Sequence, residues 1–198
     1  MTSRIVVLAS GSGTLLQALI DAPDPAFEIV GVLSDRGDAT ALERAERAGI
    51  AGTVLTPAEF ADRATWDSAL AHVLNDIGPE WVVCAGFMRI LGPPVLEAFA
   101  GRIVNSHPAL LPAFPGAHGV ASALDYGVKL TGCTVHLVDA GVDTGPILAQ
   151  ESVVIEPDDD EASLHERIKT IERRLLLDIV NDLCRFGCTV SGRKVTIP

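Results

Sequence analysis

At 198 residues the chain is long enough for one α/β domain, which hides roughly 70% of the surface its unfolded form exposes. The formal net charge of -11, with no lysine- or arginine-rich block, weighs against DNA or tRNA as a partner, while backbone groups can still bind a small phosphate ligand. No run of about 18 apolar residues occurs and no signal-peptide pattern precedes the first apolar run, so neither a membrane span nor secretion is expected.

Residues 5–9 (IVVLA) form a short, β-branched apolar run, the pattern of a strand buried on both faces of a parallel sheet. Ser10-Gly11-Ser12-Gly13-Thr14 comes next, and residues 14–22 show helical spacing. A glycine turn from a strand into a helix start lets backbone amides approach an anion, helped by the helix dipole. It is not a dinucleotide fingerprint, because the third glycine would fall at Leu16, and no Gly-Lys-Ser/Thr is present to make a Walker loop. A tight turn with no ligand is the alternative. The nearest basic residues in sequence, Arg4 and Arg36, lie outside the loop, which leaves backbone amides as its anion donors.

Residues 27–33, 81–85 and 102–105 repeat the buried-strand pattern, and residues 39–48 and 62–77 the helical one. Strand alternating with helix predicts a doubly wound, mostly parallel α/β sheet. Next comes NSHPALLPAFPG, residues 105–116. Asn105 and His107 leave the end of a buried strand, the edge at which open α/β sheets bind ligands. An amide and an imidazole there can serve an oxyanion and move protons near neutral pH, or they can simply cap a turn. Pro108, Pro112 and Pro115 stiffen the chain beyond His107.

Residues 131–138 and 147–155 alternate as strands near a sheet edge do, and they flank the glycine-rich loop DAGVDTGP, residues 139–146. Asp143 in that loop is either a turn residue or a carboxylate that favours a charged His107. A long helix is expected over 161–186, then a hairpin turning at Ser191-Gly192. His72 and His165 are expected to be exposed on helices, and His118 and His136 either approach the cleft or are structural. Cys84, Cys133, Cys184 and Cys188 form no C-x-x-C pair and read as buried reduced thiols of a cytoplasmic protein, with no metal site.

SGSGTLLQ, AGFMRIL, NSHPALLPAFPGAH and TGCTVHLVDAGVDTGPILAQ occur in this order. Together they resemble the glycinamide ribonucleotide formyltransferases, folate-dependent enzymes of purine synthesis, over nearly the whole chain. The Asn-x-His…Leu-Leu-Pro element with Asp-x-Gly-Pro is shared by a wider formyltransferase superfamily, and the N-terminal glycine loop narrows the match. The resemblance implies a fold of the formyltransferase type with an antiparallel strand in the C-terminal half and a small C-terminal hairpin. It implies one domain over 1–198, with a phosphate-binding half to about 100 and a catalytic, folate-loop half beyond.

By resemblance, Asn105, His107 and Asp143 match the catalytic trio. Gly11, Gly13, Thr14 and Leu15 match the ribonucleotide phosphate turn, and Glu172 a carboxylate for the ribose hydroxyls. Arg63, Met88, Arg89, Ile90, Leu91, Val138, Asp139 and Gly141 match folate-binding positions, with the ring set against Met88, Ile90, Leu91, Ile103 and Val138. The co-substrate implied is 10-formyltetrahydrofolate, with no metal. The expected partners are small molecules, with no nucleic acid or membrane, for a monomer or homodimer. A cis Leu111-Pro112 peptide is also implied. Two departures stand out: Leu15 replaces an asparagine common in relatives, and Arg173 replaces a histidine after Glu172. Methionyl-tRNA formyltransferase, expected to add a C-terminal domain, and formyltetrahydrofolate hydrolase, expected to add a regulatory domain before the first strand, are the rival activities. A non-catalytic nucleotide-binding module leaves the trio without a role.

Overall fold

The computed structural model describes residues 2–198. In chain order its elements are β1 (Ser3–Leu8), α1 (Thr14–Ile20), β2 (Phe27–Ser34), α2 (Thr40–Arg47), β3 (Gly52–Val54), a short 3-10 turn at Pro57–Glu59, α3 (Arg63–Ile77), β4 (Trp81–Cys84), α4 (Pro93–Ala98), β5 (Ile103–His107), α5 (Gly119–Tyr126), β6 (Leu130–Leu137), β7 (Ile147–Val154), α6 (Glu161–Phe186), β8 (Thr189–Ser191) and β9 (Lys194–Thr196). One nine-stranded sheet runs in the order β3-β2-β1-β4-β5-β6-β7-β9-β8. β3 to β5 are parallel, β6 is antiparallel to both β5 and β7, and β8 and β9 form the terminal hairpin. The hairpin turns at Gly192-Arg193, one residue later than expected, because Ser191 pairs with Lys194.

Alternation along β1 builds a core on each face of the sheet. Ile5 and Val7 pack with Leu16 and Leu19 of α1, Ala41 and Ala45 of α2, and Leu176, Val180 and Leu183 of α6. Val6 and Leu8 pack with Trp66, Leu70 and Leu74 of α3 and with Val95 of α4. Helices on both faces explain why these strands are apolar throughout rather than alternating. α6 is started by a reciprocal capping box between Asp160 and Ser163. Asp159 beneath it receives Arg167, which holds its carboxyl well below the usual carboxylate range against the opposing effect of burial. Among the described residues, no helix is long and apolar enough to cross a membrane.

The order of the strands positions the site. β1 and β4 are neighbours, and the chain leaves β1 toward β2 on one side and β4 toward β5 on the other. The carboxyl ends of such a pair enclose a crevice. Here the loop after β1 and the segment after β4 meet across it, with Ser10 N–H donating to the Gly86 carbonyl at 3.1 Å.

Candidate active site

Asn105 and His107 lie within β5 rather than beyond its end. Two residues apart in a strand, they share one face. Ser106 between them faces α6, where its hydroxyl donates to Glu172 Oε1 at 2.6 Å. Antiparallel pairing sets His136 of β6 opposite Asn105 and Thr134 opposite His107. Asp143 arrives from the 139–146 loop with a left-handed backbone, φ 53°. That loop is closed by Leu137 N–H donating to the Pro146 carbonyl and by Asp139 Oδ1 accepting from Gly141 N–H and Thr144 Oγ1.

The trio converges. His107 Nδ1 stands 3.3 Å from Asp143 Oδ2, and His107 Nε2 stands 2.8 Å from the Phe114 carbonyl. Asn105 Nδ2 lies 3.1 Å from His136 Nε2 and donates to Asp143 Oδ1 at 3.5 Å. His136 Nε2 is itself 3.5 Å from Asp143 Oδ1, and Gly116 N–H donates to Asp143 Oδ2 at 2.7 Å. Hydrogen bonding with His136 is the largest influence on Asp143; with Gly116 N–H and the charge of His107 it outweighs burial and lowers the carboxyl pKa to about 2. His136, whose role was open, thus belongs to the cluster, while His118 is exposed at the start of α5. His165 is half-buried, not exposed as expected; His72 is exposed.

Asp143 is therefore a carboxylate throughout the neutral range. Its folded-state pKa lies below the ordinary value of about 3.9, so its stabilising contribution is complete above that value and fades as pH falls toward 2. Asp143→Asn is expected to melt lower than the parent at pH 7, with the gap narrowing between pH 4 and about 2. Thermal melts of both proteins across that range check this; a gap independent of pH would contradict it.

The turn after His107 is fixed from β6 and β7. Thr134 Oγ1 donates to the Ala109 carbonyl and accepts from Leu111 N–H, while Gln150 Nε2 donates to the Leu111 carbonyl. The Leu111-Pro112 peptide is cis, as expected.

In the glycine loop, Gly13 takes φ 68°. Among the described residues, the amides of residues 11–15 have no protein acceptor. Gly11 is exposed, Thr14 is half-buried, and the Leu15 side chain is buried, leaving only its backbone to the loop. Arg44 of α2, distant in sequence, donates to the Ser12 carbonyl at 2.8 Å. Glu172, matched by resemblance to the carboxylate for the ribose hydroxyls, is 5% exposed and bonded to Ser106, and burial raises its pKa.

The 86–92 segment is pinned at three points. Met88 N–H donates to Ser10 Oγ at 2.8 Å, Arg89 pairs with the buried Asp35 at 2.7 Å, and Arg63 donates to the Ile90 carbonyl. Arg63 also pairs with Asp67 at 2.9 Å and lies over the Trp66 ring. Arg89 thus holds the segment through its ion pair, and Arg63 holds it through the bond to the Ile90 carbonyl. Met88 (70%) and Ile90 (60%) are exposed, whereas Leu91 and Ile103 are core residues packed behind them. Val138 is half-buried, and Asp139 and Gly141 are exposed on the neighbouring loop.

Comparison with known proteins gives the family. Residues 3–180 match the family model described as formyl transferase. The chain is 53% identical to phosphoribosylglycinamide formyltransferase of Mycobacterium tuberculosis over 98% of this chain and 91% of the relative. It is 42% identical to the human trifunctional purine biosynthetic protein adenosine-3, over 87% of this chain and 17% of that protein. A crystal structure of glycinamide ribonucleotide transformylase 1 from Symbiobacterium toebii superposes with a TM-score of 0.96 at 43% identity, covering 99% of this chain and 94% of that one. The chain belongs to the formyl transferase family and, within it, groups with the phosphoribosylglycinamide formyltransferases.

Proposed function

We propose that the protein transfers the formyl group of 10-formyltetrahydrofolate to the amine of glycinamide ribonucleotide in purine synthesis. The observation that carries this reading is the Asn105–His107–Asp143 cluster at the crevice edge of a chain of this family. The amine attacks the formyl carbon, electrons of the carbonyl bond move to oxygen, and collapse of the tetrahedral intermediate breaks the bond to the folate nitrogen. The proton lost by the amine ends on that nitrogen, carried by water or by the His107–Asp143 pair. Asn105 Nδ2 and a His107 N–H are the donors for the transient oxyanion, with the formyl oxygen replacing their protein acceptors when substrate enters. Asp143 holds the imidazole ring in place. No enzyme nucleophile is needed. Cys133 is buried and its thiol pKa is pushed up to about 12 by burial, so it carries negligible thiolate at neutral pH.

The phosphate binds the free amides of residues 11–15 in the N-terminal half, and the folate ring lies where the two halves meet, on the surface offered by Met88 and Ile90 before residue 100 and by Val138 beyond it. Its polar edge is read by backbone groups of the pinned segment. The free cysteines support a cytoplasmic setting. The test is a formyl-transfer assay with both substrates, run beside His107→Ala; transfer to methionyl-tRNA instead would overturn the reading.

The exposed Ile90 allows a clean probe of the ring's position. Ile90→Asp places a charge on the proposed contact surface without emptying a core site. Folate affinity is expected to fall by at least about tenfold, measured by calorimetry, with the melting temperature nearly unchanged. Unaltered affinity in the folded variant would place the ring elsewhere.

A further inference from the structure

Asp143 enters the trio from a loop, and the backbone of that loop is held from the far end of the chain. Arg193, at the turn between β8 and β9, donates from Nη1 to the Thr144 carbonyl at 3.0 Å and from Nη2 to the Gly145 carbonyl at 3.4 Å. These are the two carbonyls that come directly after Asp143. Neither accepts from a backbone amide among the described residues. Arg193 has no carboxylate within ion-pair distance among the described residues, whereas Arg36, Arg63, Arg89, Arg167 and Arg174 each have one.

The hairpin is a fixed support. Thr189 pairs with Thr196 and Ser191 with Lys194 across it, Lys194 pairs with Ile147 at the start of β7, and Val195 and Ile197 pack against the core that includes α6. It lies beyond residue 180, where the match to the family model ends. The loop has two further ties, the Leu137–Pro146 bond at its base and the bonds of Asp139 to Gly141 and Thr144. Both leave the peptides after Asp143 to Arg193. Asp143 itself has φ 53°, a sparsely populated conformation for a residue with a Cβ, which persists only when its surroundings hold it. A guanidinium presents its N–H groups in a rigid fork, so one side chain orients both peptides at once.

The aim of Asp143 decides its reach. Its Oδ2 accepts from Gly116 N–H at 2.7 Å and stands 3.3 Å from His107 Nδ1. A displacement of about 1 Å in such a constellation lowers a rate by up to about two orders of magnitude. We propose that Arg193 is a positioning residue for formyl transfer: by holding the Thr144 and Gly145 carbonyls it keeps Asp143 aimed at His107 and His136. The C-terminal hairpin is thus a support of the catalytic site as well as a cover for the edge of β7. The effect on rate rests on the transferase reading above, while the aim of Asp143 is measurable without substrate.

The test uses Arg193→Ala, Arg193→Lys and Lys194→Ala in the whole protein. Arg193 is exposed, so its truncation empties no core site and the melting temperature should change little. Arg193→Ala is expected to lower kcat by about tenfold, with ribonucleotide KM unchanged and any rise in folate KM smaller than the loss in kcat. The Asp143 carboxyl, titrated by carbon NMR in the free protein, should move up from about 2 toward its ordinary value of about 3.9 as its bonds to His136 and Gly116 loosen. Arg193→Lys keeps the charge but not the fork and should recover only part of both effects. Lys194→Ala removes the neighbouring charge and should match the parent, because the held carbonyls are bonded to Arg193. In an active parent, either a kcat or an Asp143 titration untouched by Arg193→Ala overturns the proposal and leaves the transferase reading intact. So does an equal loss in Lys194→Ala, which would make the effect one of charge attracting substrate. A parent that transfers no formyl group overturns the transferase reading, and the Asp143 titration then decides the positioning role by itself.

Discussion

His107→Ala should lower kcat for formyl transfer by about two to three orders of magnitude, the usual effect of removing one donor to a developing oxyanion. Folate and ribonucleotide affinities should change little, because the groups proposed to bind them lie on other elements. His107 is 4% exposed, so the truncation also leaves a small cavity and strips Asp143 of one partner. His107→Gln is the useful companion, since it retains a donor and most of the volume. If both variants lose kcat while their melting temperatures stay close to the parent's, chemistry has been lost and not the fold. Full activity in the folded alanine variant would remove His107 from the mechanism. His136 invites the same comparison. Its Nε2 approaches both Asn105 and Asp143, so it orients two members of the trio from the neighbouring strand.

Gly13→Val should abolish measurable ribonucleotide binding, and here the structure changes what such a variant reports. Gly13 has φ 68°, a conformation whose strain for a non-glycine residue is on the order of 1–3 kcal/mol. An added Cβ would also lie 2.7 Å from Cα and 2.8 Å from Cβ of Ala41, a buried residue at the start of α2. α2 carries Arg44 and must shift, so the loop, the helix and the arginine move together. Folate binding should survive, since the 86–92 segment is also held by the Arg89–Asp35 ion pair and by Arg63 at the Ile90 carbonyl. Calorimetry with each ligand checks this, and equal losses for both would mean general damage. Leu15→Ala is not a neutral control. Leu15 is 7% exposed in the core, and such truncations cost about 2–5 kcal/mol.

Local sequence determined the parallel half of the sheet. Runs such as IVVLA and WVVC have one reading in a chain where helical segments come after them, because a strand covered on both faces must be apolar throughout. It also determined the glycine turn, since a left-handed residue at Gly13 is a property of the local backbone. β3 and α4 escaped because at three and six residues they are too short to display a period; α5 (GVASALDY) escaped because its glycine and small residues after a proline-rich turn give little apolar contrast. Family likeness named the trio, but the antiparallel register of β5 against β6 decided that His136 stands beside it. Burial of Glu172 against Ser106 and capture of Arg63 and Arg89 by Asp67 and Asp35 were likewise tertiary decisions. Each depends on which face of which element packs against another; Ser106 and Glu172, in direct hydrogen-bond contact, are 66 positions apart in the chain. A polar side chain's sequence neighbours say what it can bond; only the packed structure says what is within its reach.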